Sequence, residues 1–295
     1  MRARRQPSEY VVPRVGSRPA KAIVWVAEQA FMILVVFVML TPFYAMVVTS
    51  LRRSSDFTSS LASISPPRNP TFENYVLAWT DLGFSSLMKN TVILSLTTAL
   101  VTTVVAVIAG FALARLRFGG RRPILVGVIA VMSVPPMVVI VPLFLGMVKL
   151  GVINTYPAAI VAEIGLNIPF GTYLIYTFMR DIPEDLFQAA QIEGASVFRQ
   201  LRSVAIPLSR PVILTVALIT AMFSWNDLLV PLVLWQSEDL RVLMVGLANL
   251  APGRQGGVDV PLVMAGVAIS VVPVVAAFLL TRRFFVRGLV EGALK

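Results

Sequence analysis

Six apolar runs, each close to the length of a bilayer-crossing helix, leave few folds open to this chain. A helix that crosses a hydrocarbon core needs roughly 20 predominantly apolar residues. The runs are Ile23 to Val48, Thr91 to Leu113, Ile124 to Val148, Pro157 to Met179, Pro211 to Trp235 and Leu262 to Leu280. Only 14% of the 295 residues are charged, where soluble domains run near a quarter. Inside a bilayer every backbone N–H and C=O has to be satisfied by the protein itself. The expectation is therefore an all-α integral membrane protein with six transmembrane helices. Pro135, Pro136 and Pro142 fall inside the third run, where neighbouring helices have to re-satisfy the backbone.

Six crossings put both termini on one side. Eighteen of the 25 Lys and Arg residues then lie with the termini and seven lie opposite. The positive-inside rule assigns the richer side to the cytoplasm, which predicts both termini cytoplasmic. The net charge of +10 reads as this topology signal and not as a nucleic-acid surface. The N-terminal run is too long for a cleavable signal and lacks a small-residue cleavage site. The expected divisions are a basic tail over 1–22, a membrane domain over 23–284 and a cytoplasmic tail over 285–295. Long external loops are expected at 51–88 and 236–260. The first has a short amphipathic piece near its end, and the second reads as a Gly- and Pro-rich surface loop.

The chain contains no Cys and no His. That removes disulfides, Cys and His metal sites, and His-based acid–base or triad catalysis. It also has no G-x-S-x-G and no Gly-Lys pair. The nucleophile elbow and the phosphate cradle of a nucleotide-binding loop are both missing.

One polar interruption stands out. DIPEDLFQAAQIEG begins at Asp181, which is expected to cap a helix with Glu184 as its capping-box partner. Pro183 falls in the first turn, and Gly194 suits the residue just past the helix end. This predicts a helix from about Ile182 to Glu193. Ser196 then caps a second helix with an apolar stripe at Val197, Phe198, Leu201, Val204 and Ala205. Pro207 and Pro211 are expected to break the chain before the fifth run. Such a slim helix pair fits a groove in a partner protein or lies on the membrane surface.

The spacing of this segment resembles the EAA loop of ABC-importer permeases, EAA-x3-G-x9-I-x-L-P. Here Gln188, Ala189 and Ala190 are followed by three residues, Gly194, nine residues, then Val204, Ala205, Ile206 and Pro207. Gln188 replaces the family's Glu and removes a charge that would pair with a partner arginine. The stretches ALARLRFGGRRP, SVPPMVVIVPLFLGMVKLGVINT, IPFGTYLIYTFMRDIPEDL, SWNDLLVPLVL and FFVRGLVEGALK are similar to the second permease subunit of maltose-type carbohydrate importers. The resemblance runs from about Tyr75 to the C-terminus.

That resemblance implies the type I importer fold and a half-pore in a bacterial inner membrane. It also implies four partners: a homologous permease, two ATP-binding subunits that hold the ATP and Mg, and an extracytoplasmic solute-binding protein that delivers a sugar. The chain would carry no cofactor of its own and would be no enzyme. Glu184, Gln188, Ala189, Ala190, Gly194, Ala195, Phe198 and Pro207 would couple it to the ATPase. Gly253, Gly256 and Gly257 would meet the binding protein, and Gly288, Gly292 and Lys295 resemble a tail that touches the ATP-binding subunits. A non-sugar solute is the alternative cargo.

Inside the apolar runs, polar groups are costly and face protein or water. Trp225, Asn226 and Asp227 either line the pore or bond between helices. Glu163 and Asn167 are four apart and share a face, toward either a hydroxyl-rich solute or another helix. Met137 beside Pro135 and Pro136, with Met132 and Met147, forms an apolar gate or ordinary packing. A stand-alone secondary transporter with an ion or proton site at Asp227 or Glu163 is the competing class.

Overall fold

The computed structural model describes residues 18–57, 65–250 and 259–293. Helices α1 (Arg18–Ser50), α2 (Glu73–Thr80), α3 (Phe84–Arg115), α4 (Arg121–Met132), α5 (Pro136–Lys149) and α6 (Tyr156–Arg180) come first. They are followed by α7 (Glu184–Ile192), α8 (Val197–Gln200), α9 (Ile206–Leu208), α10 (Arg210–Asn226), α11 (Leu229–Leu234), α12 (Leu243–Leu250) and α13 (Val260–Ala293). There is no strand among the described residues. Among the described residues, four helices are long and apolar enough to cross a membrane: Ile23–Ser50 within α1, α3, α6, and Val260–Thr281 within α13. The count rises to six if each of two bent helix pairs is one crossing.

The third and fifth runs are each interrupted. α4 and α5 meet at 102°. Pro135 is extended (φ −61°, ψ 134°) and Pro136 opens α5. Neither can donate a backbone hydrogen bond, so the α4 ladder has nothing to continue with. The fifth run divides at Asp227, whose backbone is extended (φ −73°, ψ 129°) between α10 and α11. The break expected from Pro207 and Pro211 forms between them and not at Pro207 itself. A π turn over Leu201–Ala205 carries the helix through, with Ile206 N–H donating to the Leu201 carbonyl. The wider turn makes room ahead of a ring that would otherwise press on a preceding carbonyl. The break comes at Ser209, where the helix pair bends by 79°.

α3 lies at the centre and packs against α6 and α10. Small residues allow the approach, as they do where lipid removes any hydrophobic drive between helices. A Cβ on Gly110 would stand 2.6 Å from Ile175 Cγ2 and 3.0 Å from the Tyr176 backbone nitrogen. A Cβ on Gly171 would stand 3.0 Å from Ala106 Cβ and 3.1 Å from Val216 Cγ1. α1, by contrast, packs on α13 and leaves residues such as Ile33 and Phe37 about 70% exposed. An apolar surface of that extent suits a bilayer or another subunit.

At the Phe84 end of α3, Asn90 Nδ2 donates to the Asp239 and Arg241 carbonyls at 2.7 and 2.9 Å. Its Oδ1 accepts from the Tyr156 hydroxyl at 2.7 Å. Tyr156 meets Trp235 edge-on at 5.3 Å, and Trp235 Nε1 donates to the Thr155 carbonyl at 2.7 Å. The chain after α11 is thereby tied to α3 and α6. The 236–260 region is not a plain loop, since α12 lies within it and buries Leu243, Val245 and Leu247. The amphipathic piece of the 51–88 loop is α2, which buries Asn74 and Ala78. α1 begins before residue 23 and α13 runs past residue 284, so the two expected tail boundaries fall inside helices.

Candidate functional site: the 181–207 segment and the buried polar groups

The helix pair at 181–207 forms, with different capping from that expected. α7 starts at Glu184 with Pro183 at its N-cap and no side-chain cap bond. Asp181 is taken by Arg180, whose Nε lies 3.3 Å from Asp181 Oδ1. Glu184 is drawn away by Arg115, with Nη1 to Oε2 at 2.7 Å. A fixed cation outcompetes a backbone N–H for a carboxylate, because charge-assisted pairs are the stronger bonds.

The far end of α7 follows the sequence reading. Gly194 has φ +78°, a conformation that carries a steric cost for other residues. Its N–H donates to the Gln191 carbonyl at 2.9 Å, and Ala195 N–H donates to the Ala190 carbonyl at 2.9 Å. These two bonds make a Schellman motif. Ser196 Oγ accepts from Arg199 N–H at 3.3 Å and caps α8.

The predicted stripe divides in two. Leu201 and Ala205 are buried against α3, α6 and α10 residues. Val197 and Phe198 are 50% and 69% exposed, and Ile192 at the end of α7 is 88% exposed beside them. Gln188 and Ala189 are exposed beside them. An apolar tip therefore projects on either side of the Gly194 turn.

Arg115, at the end of α3, was not marked by sequence reasoning beyond its place in a basic loop. Its Nη2 donates to the Met179 and Ile182 carbonyls, and to that of Arg180 at 3.4 Å. Its guanidinium lies 4.3 Å from the Phe187 ring centroid. The Phe187 ring also packs against Phe111 at 6.4 Å. The sequence separation of 69 between Arg115 and Glu184 hides this cluster from any local pattern.

The polar residues of the apolar runs have three different settings. Ser224 Oγ donates to Glu163 Oε2 between α10 and α6, and both side chains are buried. Glu163 Oε1 makes no well-formed hydrogen bond, and the Asp227 carboxyl lies close to this carboxyl. Asp227 caps α11, with Oδ1 accepting from Leu229 N–H at 3.0 Å and Oδ2 from Val230 N–H at 3.2 Å. Asn167 and Asn226 each donate to the carbonyl four residues back, at 2.9 and 2.7 Å. The shared face of Glu163 and Asn167 is therefore joined through the Glu163 backbone, not its carboxyl. Trp225 packs on the cluster around Phe84 and Leu247. At the α4–α5 corner Met137 is exposed. Gly253, Gly256, Gly257 and Lys295 lie outside the described residues.

Residues 103–289 match the family described as binding-protein-dependent transport system inner membrane component. The chain is 29% identical to the diacetylchitobiose uptake system permease protein NgcG of Streptomyces coelicolor, over 91% of this chain and 88% of that protein. It is 32% identical to the trehalose/maltose transport system permease protein MalG of Thermococcus litoralis, over 89% and 94%. The fold is similar to a chain in the crystal structure of a bacterial ABC transporter involved in alginate import. The TM-score is 0.77 at 20% identity, covering 92% of this chain and 99% of that one. This chain belongs to the binding-protein-dependent transport system inner membrane components, and it is an ABC-importer permease, a transport component and not an enzyme.

Proposed function

We propose that the chain is one half of the pore of an ATP-driven importer for a sugar or oligosaccharide. A second, homologous permease supplies the other half. An extracytoplasmic binding protein delivers the solute, and two ATP-binding subunits that carry ATP and Mg dock on the 184–207 segment. The observation that carries this reading is the apolar tip of Ile192, Val197 and Phe198 around the Gly194 turn. An isolated soluble knob would not leave such side chains in water, whereas a groove in a partner covers them. The sugar assignment is supported by relatives named for diacetylchitobiose and for trehalose and maltose. The two termini and the 181–207 segment are cytoplasmic in this reading, in keeping with the basic residues gathered there.

The test is uptake in proteoliposomes. The chain is assembled with its second permease and ATP-binding subunit, ATP is enclosed, and the binding protein is supplied outside with labelled oligosaccharides. Uptake that needs both ATP and binding protein is the expected result. Uptake driven by an ion gradient without ATP would refute the proposal.

A further inference from the structure

Three helices of this chain converge on one guanidinium. Arg115 ends α3, bonds the carbonyls of Met179, Arg180 and Ile182 where α6 finishes, and meets Glu184 and Phe187 of α7. Nothing about α3 alone requires this. Its end is already closed by Leu116 N–H donating to the Ala112 carbonyl. A long cationic side chain at a membrane boundary ordinarily reaches outward to water. Arg115 turns inward instead. Its side chain is 9% exposed, and its Nε is buried without a hydrogen-bond partner, which is unfavourable.

The contacts differ in strength. Glu184 is 60% exposed, so its ion pair is screened and contributes little. The carbonyls at the end of α6 are the orphan acceptors of a helix C-terminus, where a cation is favoured. The planar fork reaches several of them while its face rests on Phe187. A lysine ammonium cannot reproduce that geometry.

We infer that Arg115 is the positioning residue of the coupling segment: it makes α7, the end of α6 and α3 move as one body. Displacement of α7 then reaches the central helix of the bundle and is not absorbed in the short link at 181–183. This rests on the reading that the 184–207 segment engages an ATP-binding subunit.

The test uses the complete importer in proteoliposomes and compares Arg115→Lys with Glu184→Gln. Arg115→Lys is expected to raise the ATP hydrolysed per solute imported by about five-fold or more. Glu184→Gln is expected to change that ratio less than about two-fold. A purely structural role would lower hydrolysis and uptake together and leave the ratio alone. A wild-type ratio in Arg115→Lys overturns the inference.

A second measurement does not depend on that variant assembling. The chain has no native Cys, so spin labels are placed by Phe118→Cys and Asp185→Cys, both at exposed sites outside the apolar tip. With Arg115 intact, the 118–185 distance distribution is expected to stay the same with and without ATP. A distribution that shifts with ATP overturns the inference. If the unmodified importer shows no ATP-dependent uptake at all, the proposed function fails instead, and the distance measurement still decides whether the joint is rigid.

Discussion

Ser224 Oγ donates to Glu163 Oε2 across the packing of α10 on α6, and neither side chain reaches solvent. An acidic side chain inside the bundle is thus held by the Ser224 hydroxyl, with a second acid, Asp227, close beside it. Ser224→Ala removes the hydroxyl donor and leaves the Glu163 carboxyl facing only the Asp227 side chain. The expected loss is about 1–3 kcal/mol, read as a lower melting temperature in nanodiscs. Glu163→Gln keeps an acceptor for Ser224 and is expected to melt closer to wild type.

Gly110 separates α3 from α6 by less than a methyl group. Gly110→Val would drive carbon into Ile175 and toward the Tyr176 backbone. Overpacking of this kind costs about 1–3 kcal/mol. Thermal unfolding of the purified permease in detergent checks it, and Gly119→Val, with open space around the Cβ position, is the control.

Asn90 makes three bonds that join α3, the start of α6 and the chain after α11. Asn90→Leu removes all of them and leaves the Tyr156 hydroxyl without its acceptor. A loss of about 2–3 kcal/mol is expected. Hydrogen exchange should rise first at residues 236–241, because their carbonyl anchors are gone.

Gly194 sits in open space, so its constraint is conformational and not steric. Asn tolerates a left-handed backbone and Val does not. Gly194→Asn is therefore expected to retain most uptake, and Gly194→Val to lose at least about ten-fold by misdirecting α8. Proteoliposome uptake at equal complex concentration distinguishes them.

Phe198 and Ile192 are expected to anchor the ATP-binding subunit. Phe198→Asp should weaken that association by about 30-fold or more, the scale of an interface hot spot. The permease alone should melt within about a degree or two of wild type, since little is packed around an exposed side chain. Pull-down of the ATP-binding subunit against the melting curve separates the two effects.

How much of this was legible from residues alone varies with how local the cause is. The apolar runs gave the helices, because helix formation in a bilayer depends on each segment's own composition. Gly194 and Ser196 were also readable, since a turn and a cap are made within a few residues. Asp181 and Glu184 were misassigned as a capping box because Arg115 lies 69 residues before Glu184. The prolines at 135 and 136 marked a disturbance, but only the three-dimensional path showed a 102° turn. Pro207 looked like a break, yet the π turn ahead of it absorbs the ring. Asp227 reads in sequence as a membrane-buried acid, and its use as the cap of α11 depends on the division of the fifth run, which no local pattern marks.

The corner between α4 and α5 also bears on how the chain enters the membrane during synthesis. With 12 and 14 residues, these helices extend only about 18 and 21 Å, short of a hydrocarbon core of about 30 Å. Neither can be released sideways into lipid as a finished crossing. The insertion machinery has to hold the two as one unit, or keep them until α6 emerges to pack against them. Membrane integration of this chain is therefore paced by a segment larger than a single helix.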